Sequence, residues 1–237
     1  MDKTFYASIS DWERESLEQR RMERELLNAG YSRVLGIDEA GRGCLAGPVV
    51  AACAYLPLEI SIERLKDSKL VTSEAEREKL FQQLCQTPGV IFAHHVVHHE
   101  FIDEHNILQA TFEAMRRATQ SLLDLQTVFN ENETIVSCID GNQVPPDFPT
   151  SARAITKGDR SVLCISAASI VAKVLRDRIM VNLDAKYPGY GFAKHKGYAT
   201  AVHRAKLVEM GPCPIHRRSY QPVRLALEAS LSRTDVA

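Results

Sequence analysis

The chain has 237 residues, of which 45% are hydrophobic and 25% are charged, and this composition predicts a globular protein with one large domain, or one and a half. No apolar run approaches the ~18–20 residues of a membrane span, and the N-terminus carries no apolar signal segment, so we expect a cytoplasmic protein without a membrane partner. The net charge of −1 hides an asymmetry, because residues 151–237 hold 15 Lys and Arg against six Asp and Glu. This basic part favours a polyanionic partner such as nucleic acid, although solvated helix faces would give the same count.

The first segment predicts a highly charged helix at residues 8–29, with Ser10 as its cap and Gly30 at its end. Its apolar face is thin. We therefore interpret residues 1–30 as a helical extension outside the core. The main domain is predicted at residues 31–225, and residues 226–237 are predicted to be a C-terminal tail.

The elements that follow alternate in a way that is typical of a mixed α/β domain. Apolar runs bounded by turn residues predict strands at 33–38, 49–56, 90–98, 134–139 and 152–156. Helical spacing and capping residues predict helices from residue 72 or 73 to about 85, from 102 or 103 to about 125, and over 161–186. Two further helices, near 199–210 and 219–233, are predicted as C-terminal additions.

The cysteines are scattered along the chain and form no Cys-x-x-Cys pair. We expect reduced thiols of a cytosolic protein rather than zinc ligands or disulfides. They are Cys44, Cys53, Cys85, Cys138, Cys164 and Cys213.

Three of the predicted strands end at acidic residues. Asp38 and Glu39 end the first strand, Asp140 follows the fourth, and Asp159 stands after a brief loop beyond the fifth. Because sites in α/β sheets gather at strand ends, these carboxylates are predicted to converge if the strands are neighbours. Taken singly, Asp140-Gly141 is also typical of a plain turn and Asp159 of a helix cap.

Four carboxylates in one place repel one another unless cations neutralise them. Mg²⁺ or Mn²⁺ suits such an oxygen-rich site. Two such ions, ~3.5–4 Å apart, would polarise a phosphodiester, activate a water and stabilise the leaving oxygen. We therefore predict metal-dependent cleavage of a phosphodiester.

The turn Gly41-Arg42-Gly43 directly follows the first acidic pair. A guanidinium and bare backbone amides suit a phosphate group. Glycine also lets a ligand approach the backbone closely, because no Cβ intervenes. We predict that this turn binds substrate beside the metal.

These motifs, in this order, resemble the bacterial ribonuclease HII family over about residues 33–225. The matching segments are Gly36 to Gly43, Leu45 to Val50, Asp67 to Leu70, Ile102 to Asp103, Asn106 to Leu108, Ile139 to Asn142, Lys157 to Asp159, Ser166 to Val174, Arg176 to Asp177, Tyr190 to Phe192 and His195 to Tyr198. Cys44 departs from the pattern, because relatives commonly carry proline there. That change could loosen the turn, but it removes no ligand.

The resemblance implies a ribonuclease H-like fold, with a mixed β-sheet flanked by helices. It implies an endonuclease that cuts the RNA strand of RNA–DNA hybrids. It also implies a nick 5′ of a single ribonucleotide in duplex DNA, with 5′-phosphate and 3′-hydroxyl ends, and a role in removing ribonucleotides from DNA. Two Mn²⁺ or Mg²⁺ ions are expected on Asp38, Glu39, Asp140 and Asp159, and we expect a monomer.

The resemblance further implies which residues contact the substrate. They are the turn Gly41, Arg42 and Gly43, and Tyr198, whose ring would pack on the sugar at the ribo–deoxyribo junction. On its own, Tyr198 is also typical of a half-buried tyrosine near a loop. Candidate phosphate contacts are Lys69 and Lys196, followed by Lys173 and Lys194.

Several other polar residues are better explained as structural. The histidines between His94 and His99 are typical of a solvated strand end, because neighbours on a strand point to opposite faces. We expect His195 to make a structural hydrogen bond. Asp177 is predicted to pair locally with the arginines beside it, and Asp67 and Asp103 to act as caps or turn residues.

Three other functions are compatible with parts of the pattern. Gly-Ile-Asp followed by glycine also opens the phosphate loop of actin-like sugar kinases, but those need a second domain and an Asp-Gly-Gly loop. A junction resolvase would also use an acidic cluster, yet the Gly-Arg-Gly turn and the Lys-Gly-Tyr segment favour ribonucleotide recognition. A non-catalytic nucleic-acid-binding module is disfavoured, because unneutralised carboxylates would weaken binding to a polyanion.

Overall fold

The computed structural model describes residues 20–60, 62, 65, 73–125, 129 and 132–234. The strands are β1 (Arg33–Ala40), β2 (Val49–Tyr55), β3 (Ile91–Val97), β4 (Ile135–Asp140) and β5 (Ser151–Ile155). The helices are α1 (Arg21–Asn28), α2 (Glu74–Gln86), α3 (His99–Leu123), α4 (Leu163–Lys186), α5 (Phe192–His195), α6 (Ala201–Met210) and α7 (Gln221–Thr234). A 3₁₀ turn occupies Gly158–Arg160.

The five strands form one mixed sheet in the order β3-β2-β1-β4-β5. β2 pairs antiparallel with both β1 and β3, whereas β1, β4 and β5 run parallel to one another. The predicted mixed α/β fold is therefore confirmed. Because the three parallel strands are neighbours, their carboxyl ends lie together at one edge of the sheet.

The sequence located all five strands and the helices α2, α3, α4, α6 and α7 to within a few residues. Of the two predicted starts of α2, residues 72 and 73, Ser73 is the cap, and its side chain accepts a hydrogen bond of 3.1 Å from the N–H of Glu76. α3 begins earlier than predicted and is interrupted at Asn106, whose φ is 71°. The Asn106 side chain caps the second part of α3 by accepting from the N–H groups of Leu108 and Gln109.

Two hydrophobic layers cover the two faces of the sheet. One contains the inner face of α4 with Val34, Ala52 and Cys138, and the other contains α3 with Leu35 and Ile37. Alternation along β1 sends neighbouring side chains to opposite layers. This alternation decides on which face each acidic side chain at the end of the strand lies.

α4 passes directly over β1 at Gly36. A Cβ on Gly36 would lie 2.0 Å from the carbonyl carbon of Cys164 and 2.3 Å from the nitrogen of Ile165. The small residues Ser166, Ala167, Ala168 and Ser169 continue this close approach along α4, and all four are buried. Glycine at position 36 therefore sets the distance between α4 and the strand that carries the acidic pair.

The N-terminal helix is part of the core rather than an appendage, which corrects the expectation for residues 20–30. Leu26 packs in the same layer as α4. Glu23 is buried, and its Oε1 accepts a hydrogen bond from the N–H of Cys164 at 3.2 Å. Arg20 is also buried and donates to the carbonyl oxygens of Leu56 and Ile60. The rest of the predicted extension, residues 1–19, lies outside the described residues.

The C-terminal helices also pack on the domain, through two smaller hydrophobic clusters. The predicted boundary at residue 226 falls inside α7, where Val223 and Ala226 are buried against Leu45 and Leu207. Among the described residues, no helix is long and apolar enough to cross a membrane.

The close approach at Gly36 gives a test of the fold. Gly36→Ala should lower the free energy of unfolding by about 3 kcal/mol or more, because the new methyl group meets backbone atoms that cannot move aside. Guanidinium unfolding would measure the loss. Gly43→Ala is the matched control, since a Cβ there meets nothing within 4 Å. Equal stability of the two variants would contradict the described packing.

Candidate active site

The edge of the sheet brings together the acidic ends of β1 and β4. Ile37 of β1 pairs with Ile139 of β4, so Asp38 and Asp140 follow at the same level on neighbouring parallel strands. Strand alternation puts both side chains on the α4 face. The Glu39 side chain points to the opposite face, near the end of the strand and just before the Gly-Arg-Gly segment.

Asp159 reaches the same edge from β5. The strand ends at Ile155, level with Asp140, and the chain then turns through Lys157, whose φ is 59°. The N–H of Asp159 donates to Oδ1 of Asp140 at 3.4 Å. Asp159 is fully buried, and its backbone carbonyl oxygen accepts a 2.8 Å hydrogen bond from Oγ of Ser166 on α4.

The electrostatic field at this edge disfavours negative charge. Burial raises the pKa of Asp38 well above its usual range, and the charges of Glu39 and Asp140 raise it further. A hydrogen bond from the Ser169 side chain acts in the opposite direction. Burial likewise raises the pKa of Glu39, although the Arg42 guanidinium, with Nη1 at 3.3 Å from Oε1, partly offsets it.

This donor set fits a hard divalent cation chemically. Asp38, Glu39 and Asp140 offer only oxygen ligands, and their mutual repulsion is the kind that a cation removes. Across the described ranges, however, no group of three or more His, Cys, Asp or Glu side chains is already arranged as a metal-binding cluster. The carboxylates therefore share an edge of the sheet without forming a preassembled cage.

The Gly41-Arg42-Gly43 turn is held from inside the protein. Gly41 has a φ of 101° and is buried, and a Cβ there would lie 2.1 Å from Nε of Arg176. We predicted that Gly41 leaves its backbone open to a ligand. Arg176 occupies the space that a Cβ would take, and the Gly41 carbonyl accepts from Arg217 at 2.6 Å, so a substrate contact of Gly41 stays a prediction. Gly43, in contrast, is exposed with open space around it.

Two buried arginines fix the turn and the segment after it, and the sequence analysis gave neither of them this role. Arg176 of α4 donates to the carbonyl oxygens of Ala46, Pro48 and Lys196 at 2.8–3.2 Å. Arg217 donates to the carbonyl oxygens of Gly41, Arg42, Gly47 and Pro48 and to the Tyr220 hydroxyl group. Most of the carbonyls they bind are more than 120 residues away in the sequence, so no local pattern indicates these contacts.

Backbone contacts hold Tyr198 next to the Gly41-Arg42-Gly43 turn. It forms an isolated antiparallel bridge with Cys44, and the N–H of Leu45 donates to the Gly197 carbonyl at 2.9 Å. The Tyr198 side chain is 43% exposed, so its ring is open to a ligand on one side. Cys44 is fully buried. Arg217 holds the turn through the carbonyls of Gly41 and Arg42.

The predicted phosphate contacts have different positions. Lys196 is not an open surface cation, because it is buried, its Nζ lies 3.2 Å from Oε1 of Glu74, and it donates to the Ala193 carbonyl at 2.6 Å. This geometry contradicts its assignment as a phosphate contact. Lys69 lies outside the described residues.

A search of known proteins identifies the family. A profile described as Ribonuclease HII matches residues 35–223. The chain is 46% identical over 200 residues to the ribonuclease HII of Maricaulis maris strain MCS10, which covers 84% of this chain and 87% of that protein. It is 44% identical over 222 residues to the ribonuclease HII of Geobacter sulfurreducens, with 94% of each covered.

The chain belongs to the ribonuclease HII family. It is therefore a hydrolase, an endoribonuclease of the ribonuclease H type, and its family acts on RNA–DNA hybrids. The resemblance to this family, which the sequence motifs indicated, is therefore confirmed.

Solved structures agree with the fold. The ribonuclease H2 of Pyrococcus horikoshii OT3 matches with a TM-score of 0.65 and 28% identity, over 83% of this chain and 97% of that one. Bst-RNase HIII, in a structure described as a complex with Mn²⁺, matches with a TM-score of 0.69 and 17% identity, over 94% of this chain and 75% of that one. At that identity the likeness concerns the fold alone.

Three further polar residues that the sequence analysis treated as structural have partners within the protein. Asp103 accepts hydrogen bonds from the N–H groups of Arg218 and Ser219 at 2.9 and 2.8 Å, which confirms a turn-capping role. His195 bonds to the Tyr190 carbonyl as expected of a structural histidine. Asp177 was predicted to pair locally, but its partner is Arg77 of α2 at 3.2 Å, because adjacent residues on a helix do not face each other.

The carboxylate repulsion gives a prediction for stability without divalent ions. A carboxyl whose pKa is raised by folding binds its proton more tightly in the folded state, so its contribution to stability is lost as pH rises above the ordinary aspartate range, about pH 4. With chelator at pH 7, Asp38→Asn should raise the free energy of unfolding by on the order of 1 kcal/mol. Urea unfolding from pH 4 to 8 would measure it, and a destabilised Asp38→Asn protein would contradict the described repulsion.

Proposed function

We propose that the protein nicks duplex DNA on the 5′ side of a single embedded ribonucleotide, as well as cutting the RNA strand of longer hybrids. The observation that carries this proposal is the backbone bridge between Cys44 and Tyr198, which puts an exposed tyrosine ring beside the turn that follows the acidic pair. A turn and a ring held together can read one sugar junction, and the carboxylates lie at the adjacent edge of the sheet.

The metal-binding residues in this proposal are Asp38, Glu39, Asp140 and Asp159, and the ions are Mn²⁺ or Mg²⁺. Two bound ions would supply the Lewis acidity and the activated water of phosphodiester hydrolysis. Asp38, Glu39 and Asp140 would lose their mutual repulsion on binding, because cations replace the proton that the raised pKa of Asp38 favours. Breaking the bond to the departing 3′-oxygen leaves a 5′-phosphate on the ribonucleotide and a 3′-hydroxyl group on the preceding nucleotide.

The protein's own groups would orient the substrate. The 2′-hydroxyl distinguishes RNA from DNA and is both donor and acceptor. Gly43 is exposed with no side chain, so its backbone can approach that hydroxyl closely. Arg42, whose side chain is about half exposed, can bind the adjacent phosphate while its contact with Glu39 keeps it at the site.

Phosphate contacts along the duplex are proposed for lysines around this edge. The Ser169 side chain of α4 bonds to Asp38 at the end of β1. Lys173 lies one helical turn further along α4, on the same face of the helix as Ser169, so we place it just beyond the end of β1. Lys157 and Lys194 are exposed in the segments that lead to Asp159 and Tyr198. Such contacts position the duplex without reading its sequence. We further propose a cytoplasmic monomer that acts in ribonucleotide removal.

The test is cleavage of an end-labelled DNA duplex that holds one ribonucleotide, with Mg²⁺, with Mn²⁺ and with chelator. A metal-dependent nick on the 5′ side of the ribonucleotide is the expected result. Cutting of an all-RNA strand without that nick would keep the nuclease but reject the recognition proposal for Gly43 and Tyr198. No cutting by folded protein would favour a binding module.

Removing one carboxylate should separate chemistry from folding. Asp140→Asn is expected to lower kcat by roughly 10³-fold or more, because one oxygen ligand at the reacting centre loses its charge. Thermal unfolding supplies the second readout. Mn²⁺ should raise the Tm of the wild-type protein and raise it less in Asp140→Asn, since a ligand that binds the folded state stabilises it. Near-normal turnover in Asp140→Asn would reject the proposed role.

The tyrosine ring should affect specificity rather than metal binding. We expect Tyr198→Ala to reduce cleavage at a single ribonucleotide by about tenfold or more, the effect of losing one good stacking or packing contact. Cleavage of a continuous RNA–DNA hybrid should fall less, and the Mn²⁺-induced rise in Tm should remain. Unchanged cleavage at the single ribonucleotide would mean that Tyr198 is structural.

A further inference from the structure

Two buried histidines behind Tyr198 have no part in the reaction proposed above. His203 in the first turn of α6 and His216 in the segment before α7 are both fully buried. Their Nε2 atoms lie 3.1 Å apart. At the outer ends, Nδ1 of His203 is 2.9 Å from the Tyr198 carbonyl oxygen, and Nδ1 of His216 is 3.0 Å from the backbone nitrogen of Cys213.

These contacts determine where the ring protons lie. A carbonyl oxygen only accepts, so Nδ1 of His203 must donate to Tyr198. The backbone N–H of Cys213 only donates, so Nδ1 of His216 must accept. The proton between the two rings therefore sits on Nε2 of His216 and is donated to Nε2 of His203. Nδ1 of His216 also lies 3.3 Å from the Cys213 carbonyl and 3.2 Å from Sγ, and the thiol can donate to it.

The surroundings keep both rings neutral. Burial lowers the pKa of His216 to about 4 and also lowers the pKa of His203; His203 further lowers the pKa of His216, and His195 further lowers the pKa of both. The titratable groups that face the pair are the His195 ring, stacked 4.3 Å from His203, the Tyr190 ring, 5.1 Å from His216, and the Cys213 thiol, 3.2 Å from Nδ1 of His216. More distant His99 also lowers the pKa of His216. A proton added to either ring would oppose two N–H groups across a hydrogen bond.

The histidine pair connects the two segments that enclose the Gly41-Arg42-Gly43 turn. On one side, the Tyr198 segment bridges to Cys44. On the other side, His216 bridges to Ala46, and the next residue, Arg217, holds the carbonyls of the turn. The chain of hydrogen bonds thus runs from the segment that carries Arg217 to the carbonyl of Tyr198.

We propose that His203 and His216 are positioning residues for substrate recognition, and that their neutral hydrogen-bonded pair fixes the Tyr198 ring relative to Gly41-Arg42-Gly43. The proposal rests on the proposed role of Tyr198 at the sugar junction. Neither histidine touches the substrate. The pair acts through the backbone of Tyr198, so its removal should affect recognition more than chemistry.

The proton assignment is tested directly by NMR. Long-range ¹H–¹⁵N correlation spectra of the full chain with ¹⁵N-labelled histidine, recorded at pH 7, distinguish the two neutral tautomers. The expected result is the less common Nδ1–H form for His203 and the Nε2–H form for His216. An Nε2–H form of His203, or a charged ring at either position, would overturn the proposal. This readout does not depend on activity.

The functional link is tested by a double-mutant cycle on the single-ribonucleotide duplex. His203→Asn keeps a donor near the Tyr198 carbonyl but loses the bond to His216. It should raise KM about tenfold, the size of one lost hydrogen bond, with little change in kcat. In the Tyr198→Ala background the same substitution should change KM by less than about twofold, because coupled residues are not additive.

The controls separate this proposal from its alternatives. His105→Asn, a histidine in α3 outside the pair, should leave KM unchanged. An equal effect of His203→Asn in both backgrounds would assign it a purely structural role and reject the proposal. If His203→Asn does not fold, His216→Gln is used in the same cycle. A wild-type protein that cuts neither substrate but has the expected tautomers would reject the proposed function and leave the hydrogen-bonded pair standing.

Discussion

Two buried guanidinium groups hold the irregular segment that follows the acidic end of β1. Arg176 comes from α4 and Arg217 from the segment before α7, and both donate mainly to backbone carbonyls between residues 41 and 48. A guanidinium has five donors in a fixed plane, so it can satisfy several carbonyls that no regular strand or helix would satisfy. Without it, those buried acceptors would each cost about 1–3 kcal/mol. The irregular path of the turn is therefore stable because two distant elements supply its hydrogen bonds.

At the acidic edge of the sheet, in contrast, folding brings together carboxylates that repel one another. Asp38 and Asp140 end adjacent parallel strands on the same face, and burial adds to their repulsion. α4 is pressed against β1 at Gly36 and contributes Ser169 to Asp38 and Ser166 to the backbone of Asp159. The helix thus stabilises the positions of the carboxylates, while their burial and mutual repulsion oppose the charged form of Asp38.

The C-terminal region belongs to the site rather than to its periphery. Tyr198 and His216 bridge to Cys44 and Ala46, so the segments on either side of α6 enclose the loop after β1. The hydrogen bonds of His203 and Arg217 then tie these segments to one another and to the turn. The proposed recognition surface is thus assembled from segments more than 150 residues apart in the sequence.

The amino-acid sequence was sufficient to predict the strands, most of the helices, the family and the acidic residues at strand ends, because apolar runs, caps and the order of short motifs are local signals. It could not tell that Arg176 fills the space beside Gly41, that Lys196 is buried beside Glu74, or that residues 20–28 belong to the core. Each of these depends on which distant side chain fills a space, and an isolated arginine or lysine looks the same in sequence whether it faces water or a row of carbonyls. The folded arrangement distinguishes these cases, because the free energy of a buried charge is set by the partners that folding places around it.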